Sequence, residues 1–136
     1  MNKRGLNLVE ILTVVIIVGI LSSLAYVNYS ASRERVFDKE ALANLKVLQM
    51  AQKDYKLDYG VYYPSSGVVF NMTDINNVLK LALPTGTQRN WSYRVYDNGS
   101  ACASRVGASP NKYYLICPDE EVAVRRDACS PATYCP

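Results

Sequence analysis

Glu10 is the only charged residue in the otherwise apolar run from Leu6 to Val27. A carboxylate inside a lipid bilayer costs about 3 kcal/mol on insertion scales, so ionisable residues in such runs usually mark a function. The alternative interpretation is that Glu10, one turn into the run, extends its side chain to the lipid headgroups and has no other role. Glu10 is therefore the first candidate for a functional residue.

All four cysteines, Cys102, Cys117, Cys129 and Cys135, lie in the C-terminal region. An even number of cysteines in an exported domain indicates disulfides, and four cysteines allow three pairings. Antiparallel strands that turn around Ser109 would place Cys102 almost opposite Cys117. We therefore predict the pairs Cys102–Cys117 and Cys129–Cys135. A four-cysteine zinc site is the rival interpretation, but the chain has no Cys-x-x-Cys step.

The chain lacks the residues on which most enzymes depend. It contains no histidine, the commonest general base and metal ligand. No phosphate-binding glycine loop, nucleophile elbow or carboxylate pair in a recognisable context replaces it. We therefore predict no enzymatic activity, no metal and no cofactor, with a membrane-anchored hydrolase as the disfavoured alternative. The formal net charge of +3 gives no electrostatic reason to expect nucleic acid as a partner.

The run from Leu6 to Val27 is long enough to cross a bilayer, because about 20 helical residues span a hydrocarbon core of about 30 Å. Lipid offers no hydrogen-bond partners to the backbone, so a spanning segment must be helical. Lys3 and Arg4 lie directly upstream. Positive residues at this end favour a cytoplasmic N-terminus, which sends the remainder of the chain outward.

The helical pattern continues beyond the membrane run, because neither glycine nor proline occurs between Val27 and Gly60. Apolar residues recur there at steps of three and four, which predicts a helix with one face on a domain core. We predict a single helix from about Leu6 to Asp58. Its core-facing positions are Phe37, Ala41, Leu45, Leu48, Ala51 or Gln52, Tyr55 and Tyr59.

The remaining residues predict a small antiparallel sheet, so the fold class is α+β, with a long N-terminal helix packed under the sheet. Thr73 to Leu83 has the pattern of a short amphipathic helix. Asp97 to Ser100 is a strong hairpin turn. Together with the second half of the long helix, these elements form one globular head, residues 28–136. The predicted strands are residues 91–96, 101–106, 112–117 and, less clearly marked, 121–125.

The N-terminal residues resemble those of a type IV prepilin. The resemblance rests on Lys3-Arg4-Gly5, on Leu6-Asn7-Leu8-Val9-Glu10 and on the Ile- and Val-rich helix that follows. Gly60-Val61-Tyr62-Tyr63-Pro64 also resembles the stretch that follows the long helix in many type IV pilins and type II secretion pseudopilins. The chain departs from the family pattern in starting its mature part with Leu6-Asn7 where Phe-Thr is usual, and in having no proline before Pro64.

The resemblance implies that a prepilin peptidase removes residues 1–5 by cutting between Gly5 and Leu6, and then methylates the Leu6 amine. In the resulting filament, the Glu10 carboxylate would pair with the α-amino group of Leu6 on a neighbouring subunit. The mature chain, without Lys3 and Arg4, has a formal charge of +1.

The resemblance further implies a structural subunit, stored in the bacterial inner membrane and polymerised into an extracellular or periplasmic filament. An assembly platform and a cytoplasmic ATPase would be its partners. A secretion or DNA-uptake pseudopilin and a membrane-anchored binding domain remain alternatives. The cysteine-bounded tail favours a pilin, because Asp119, Glu120, Glu121 and Asp127 make only a weak version of the acidic calcium loop of major secretion pseudopilins.

Overall fold

The computed structural model describes residues 7–107 and 111–135. The expected cleavage site, Gly5 and Leu6, lies outside the described residues, and so does the middle of the turn around Ser109. The chain divides into two compact units, one that ends at Val36 and one that begins at Phe37.

The first element, α1, is a helix of 52 residues from Leu8 to Tyr59. Its start is capped by Asn7, whose side-chain Oδ1 accepts a hydrogen bond from the Val9 amide at 3.4 Å, while its backbone carbonyl accepts the first helical bonds from the amides of Glu10 (2.9 Å) and Ile11 (3.2 Å). Its end is set by Gly60, which takes a positive φ of 78° and donates its amide to the Lys56 carbonyl at 2.8 Å. The predicted long helix is therefore confirmed to within about two residues at each end.

Within the second unit, α1 buries the predicted stripe against a sheet. Ala41, Leu45, Leu48 and Gln52 are fully buried. Tyr59, also predicted to face the core, is 66% exposed and stacks on Tyr55 with ring centroids 4.4 Å apart. The predicted stripe is therefore no longer buried in the last turn of the helix.

The second helix, α2, spans Met72–Leu79 and is shorter than the predicted Thr73 to Leu83. It begins one residue earlier because Asn71 is the N-cap, and its side chain accepts a hydrogen bond from the amide of Thr73 at 3.0 Å. It ends before Leu83 because Lys80 adopts the left-handed conformation (φ 55°). Of the four residues predicted to share its apolar side, Ile75 and Leu79 are buried and Val78 is half-buried, whereas Ala82 lies beyond the end of the helix and is exposed.

The sheet is antiparallel, and its five strands lie side by side in chain order. The predicted strands are confirmed, although the last one is shifted towards the C-terminus. A two-residue first strand and a short C-terminal helix were not predicted. The strands are β1 (Val68–Val69), β2 (Trp91–Tyr96), β3 (Ala101–Arg105), β4 (Tyr113–Ile116) and β5 (Val124–Arg126), and the C-terminal helix α3 spans Pro131–Tyr134.

The disulfide prediction is wrong: Cys102 pairs with Cys129, and Cys117 pairs with Cys135. The reason is strand register. Cys102 lies directly opposite Leu115, which makes Cys117 its diagonal neighbour. Diagonal neighbours lie about 7–8 Å apart, beyond the usual reach of a disulfide. Each strand cysteine instead bonds to a cysteine of the tail, with Cα atoms 5.7 Å and 5.4 Å apart respectively.

Candidate functional site: the exposed apolar helix

Residues 8–24 of α1, here called the apolar segment, expose large apolar side chains on every side. Their exposed fractions run from 50% at Ile11 to 75% at Leu8. The helix is long and apolar enough to cross a membrane, and none of its most apolar window is buried by the rest of the described chain. Soluble monomers rarely expose a continuous apolar surface of this size. The apolar segment therefore needs a cover that the chain itself does not supply within the described residues.

Glu10 lies in the first turn of α1. A carboxylate is favourable there, because the helix dipole and the free amide groups place partial positive charge at the N-terminus. Beside it is a shallow surface depression of about 250 Å³, lined by Glu10, Ile11, Val14 and Val15. No cation in residues 7–107 or 111–135 forms an ion pair with the Glu10 carboxylate.

The other polar side chains of the apolar segment are satisfied inside the helix. Thr13 donates its hydroxyl to the carbonyl of Glu10 at 2.9 Å. Ser22 donates to the carbonyl of Val18, and Ser23 to that of Ile20, both at 2.7 Å. Such local bonds let hydroxyls face an apolar environment at little cost. Within residues 8–24, Glu10 alone has polar side-chain atoms without a partner.

Gly19 adds a small-residue position to the same segment. A Cβ atom built on Gly19 would meet no heavy atom within 4 Å. Small residues on a helix surface allow another helix to approach closely. The face that carries Gly19, Ser22 and Ser23 is therefore suited to helix packing.

The head that follows is held to α1 by buried side chains that the sequence interpretation missed. Gln49 is 1% exposed, and its Nε2 donates to the carbonyls of Cys117 (2.6 Å), Pro118 (3.1 Å) and Glu120 (2.7 Å). Lys46 donates its Nζ to Oε1 of Gln49 at 2.9 Å. The sequence pattern showed that Gln49 lies beside the apolar stripe. It could not reveal the partners of Gln49, because they are backbone carbonyls and a backbone carbonyl occurs at every residue.

This network occupies the loop where the sequence placed a weak version of an acidic calcium loop. Glu120 accepts a hydrogen bond from the Cys117 amide at 3.0 Å and lies 3.7 Å from Arg126. Lys46 also donates to the Glu121 carbonyl at 2.9 Å. Among the described residues, no group of three or more acidic, cysteine or histidine side chains is placed to hold a metal ion. Hydrogen bonds from Lys46 and from the amide of Gln49 hold this loop in place.

Three further hydrogen bonds fix α1 to the sheet and to the turn behind it. Trp91 donates its Nε1 to the Phe37 carbonyl at 2.8 Å, and Asn44 donates to the Tyr93 hydroxyl at 2.8 Å. The Tyr63 amide donates to the side chain of the buried Gln52 at 2.9 Å. Burial raises the pKa of Tyr93 to about 12 despite the hydrogen bond from Asn44. These hydrogen bonds therefore attach the second half of α1 to the sheet and to the turn.

Two kinds of known protein align with the chain. The type IV major pilin protein PilA of Myxococcus xanthus is 31% identical over 107 residues, which are 79% of this chain and 43% of the relative. The type II secretion system core protein G of Escherichia coli is 34% identical over 65 residues, 48% of this chain and 44% of the relative. The same core protein of Vibrio cholerae is 36% identical over 61 residues, 45% of this chain and 42% of the relative.

The chain spans less than half the length of these curated relatives. No family model matches it, and no solved structure does. The described architecture, one long apolar N-terminal helix that leads into a small antiparallel sheet, is consistent with a pilin-like α+β fold. Relatives named as a type IV major pilin and as type II secretion system core protein G support the pilin and pseudopilin family for this chain.

Proposed function

We propose that this protein is a structural subunit of a type IV pilus or a pilus-like filament, and that its role is assembly, with no enzymatic turnover. The observation that carries the proposal is the apolar segment, whose large side chains are at least half exposed and whose one unpartnered polar group is Glu10. Lipid covers such a surface in a stored subunit. In a filament, the same surface packs against the helices of neighbouring copies.

Maturation would follow the pattern of the family. A prepilin peptidase cuts between Gly5 and Leu6 and methylates the Leu6 amine, which keeps its positive charge. Residues 6–27 then hold the subunit in the inner membrane, with the N-terminus at the cytoplasmic side. Residues 28–136 form the head outside. Lys3 and Arg4, which precede the cut, support this orientation.

Glu10 supplies the specific contact in the filament core. Its carboxylate pairs with the α-amino group of Leu6 on a neighbouring subunit, so that two buried charges neutralise each other. Breaking a buried pair by removing one partner typically costs about 3–5 kcal/mol. The lack of any cation beside Glu10 within the described residues supports a partner from another molecule.

Assembly requires other proteins. The sequence holds no nucleotide-binding motif, so the energy that extracts the helix from lipid would come from a cytoplasmic ATPase acting through an inner-membrane platform. The contacts between copies are heterologous, which produces an open filament instead of a closed ring. The finished filament lies outside the inner membrane, in the periplasm or beyond the cell.

A pseudopilin of a type II secretion system is the second candidate. It is favoured by relatives from several bacteria that are named type II secretion system core protein G. The longer alignment with a major pilin, 107 residues against 65, favours the pilus. Deletion of the gene separates the two: loss of surface fibres indicates a pilin, and loss of protein secretion with unchanged fibres indicates a secretion pseudopilin.

The direct test is electron microscopy of fibres sheared from the cell surface, with the mass of their subunit measured intact. We expect fibres whose subunit lacks Met1 to Gly5 and carries one added methyl group. A chain that retains Met1 to Gly5 and occurs only in the membrane would instead indicate a membrane-anchored binding domain.

A further inference from the structure

The turn between β2 and β3 carries the dipeptide Asn98-Gly99. In an unfolded chain such a dipeptide loses ammonia readily, because glycine has no side chain to keep its backbone nitrogen away from the asparagine side chain. The Gly99 nitrogen gives its proton to a base and bonds to Cγ of Asn98, the bond from Cγ to Nδ2 breaks, and ammonia leaves with a proton from water. Water then opens the resulting cyclic imide to aspartate or isoaspartate.

The folded head favours the electrophilic half of this reaction. Asn98 is exposed, so base and water can reach it. Its Oδ1 accepts a hydrogen bond from the Ser100 amide at 3.1 Å and another from the Ser100 hydroxyl at 2.6 Å. Two donors on a carbonyl oxygen stabilise the negative charge that develops there when a nucleophile attacks the carbon. The side-chain carbonyl of Asn98 is therefore already polarised for attack.

The same fold blocks the nucleophile. Gly99 is buried, takes a φ of 82° and donates its amide to the Tyr96 carbonyl at 2.9 Å. A Cβ atom built on Gly99 would lie 2.7 Å from three ring atoms of Tyr62, so the ring rests directly on the glycine. To reach Cγ of Asn98, the nitrogen must give up its hydrogen bond and move. The Tyr62 ring leaves Gly99 little room for that movement.

The Tyr62 ring is itself held in place by contacts of the loop at residues 60–67. Lys56 places its Nζ 4.3 Å from the centroid of the ring, within the range of a cation–π interaction. At the other end of the loop, the Gly67 amide donates to Oδ2 of Asp97 at 2.7 Å, and the Asp97 amide donates to the Gly67 carbonyl at 3.1 Å. The loop is thus fastened on both sides of the Asn98-Gly99 turn.

We propose that Asn98 is a site of self-modification by cyclic imide formation, and that the Tyr62 ring keeps it silent in the folded head. The imide forms only when residues 60–67 move away from the turn. Isoaspartate would lengthen the backbone by one carbon in the turn that sets Arg94 opposite Cys102. The contact of Tyr62 with Gly99 therefore preserves the register of β2 and β3. This inference does not depend on the proposed filament function.

The rate of deamidation in the full chain, kept in detergent at mildly alkaline pH, tests the proposal. The mass of the tryptic peptide 95–105, in which Asn98 is the only asparagine, reports the conversion of amide to acid. We expect the folded chain to react at least about tenfold more slowly than the same chain unfolded in urea. Tyr62→Ala should raise the folded rate by about tenfold, because the turn then opens more often. Tyr62→Phe keeps the ring and is the matched control, which should react as slowly as the unaltered chain.

Hydrogen exchange of the Gly99 amide in the unaltered chain gives a second measurement that needs no variant. Exchange also requires this amide to leave the Tyr96 carbonyl, so we expect it to be slowed to a similar degree as deamidation. Equal deamidation rates in the folded and the urea-unfolded chain, or an unprotected Gly99 amide, would overturn the proposal. A folded Tyr62→Ala variant that reacts as slowly as Tyr62→Phe would overturn the role of the ring.

Discussion

At the scale of single residues, Gln49 shows how a polar side chain in an apolar stripe can hold a head together. It is buried, and it ties three carbonyls of the β4–β5 loop to α1. Unsatisfied buried acceptors are expensive, whereas satisfied ones are close to neutral. Gln49 therefore affects stability mainly because its removal would leave these loop carbonyls without a hydrogen-bond donor.

Gln49→Leu keeps the volume of the side chain and removes its amide. We expect the free energy of unfolding to fall by about 1–3 kcal/mol, because buried carbonyls lose their donor. Urea unfolding of the full chain in detergent measures the loss. Met50→Leu, at a neighbouring exposed position, is the control and should change stability by less than about 0.5 kcal/mol. Equal stability of the two variants would contradict the anchoring role.

Tyr93 makes the folded head less stable at alkaline pH. Its pKa is about 12 in the folded protein because burial disfavours the phenolate, against an ordinary value of 10.0. Below pH 10, both states keep the proton, so the shift has no effect on stability. As the pH rises from 10 to 12, the unfolded chain loses this proton first, and unfolding becomes easier by up to about 3 kcal/mol.

Tyr93→Phe removes that contribution. At neutral pH the variant should lose about 1 kcal/mol, because the hydrogen bond from Asn44 is gone. Above pH 10 its stability should fall less steeply than that of the unaltered chain, although Tyr63, Tyr96 and Tyr114, whose pKa values are also raised by burial, keep part of the dependence. Urea titrations over this pH range measure both effects.

At the scale of elements, sequence periodicity predicted long or strongly patterned segments and missed short ones. The uninterrupted run to Gly60 predicted α1, and the alternation from Trp91 to Tyr96 predicted β2. The first strand has two residues, Val68 and Val69, which is too short for any alternation to be seen. Its existence depends on pairing with Val95 and Tyr96, which only the folded chain brings close.

Strand register limited what the sequence revealed about the cysteines. The predicted pairing needed Cys102 opposite Cys117, and the turn around Ser109 left the register open. A shift that brings Leu115 opposite Cys102 changes both disulfide partners at once. The candidate functional site, too, could be predicted from the sequence only in part. Composition revealed the apolar segment and Glu10, whereas the contacts of Gln49 with loop carbonyls depend on tertiary packing.

The disulfides can be mapped by non-reducing peptide analysis of the full chain. Trypsin leaves Cys129 and Cys135 on one peptide, so a second cleavage after Tyr134 is needed to separate them. We expect Cys102 linked to Cys129 and Cys117 linked to Cys135. A link between Cys102 and Cys117 would show that the register of β3 and β4 is different.

Each crosslink also fastens the tail to the sheet. The loops that they close, 27 and 18 residues long, are each worth about 3–4 kcal/mol by the chain-entropy model. Replacing either pair by serine should therefore lower the free energy of unfolding, measured by urea titration, by about 3–4 kcal/mol. A loss confined to one pair would mean that the other pair constrains the unfolded chain little.

At the scale of the whole molecule, the two parts of the chain have opposite requirements. The head buries its own core between α1 and the sheet. The apolar segment has no cover within the described residues and requires lipid or other copies. Lipid accepts any apolar helix, whereas a filament of identical helices must also place the carboxylate of Glu10 next to a positive charge.

The replacement Glu10→Gln separates these two environments most directly. Removing the carboxylate should ease membrane insertion by up to about 3 kcal/mol, so the membrane pool of the variant should be at least as large as that of the unaltered chain. In a filament the same change leaves the Leu6 amine of a neighbour buried without its partner, at about 3–5 kcal/mol for each contact. Thr13→Val, one turn further along the same helix, is the matched control and should assemble normally.

The decisive measurement is the ratio of sheared fibre to membrane pool for Glu10→Gln, relative to the unaltered chain and to Thr13→Val. The filament account predicts a normal membrane pool with little or no fibre for Glu10→Gln alone. Normal fibres from Glu10→Gln would contradict it, because the one unpartnered polar group of the apolar segment would then have no role in assembly.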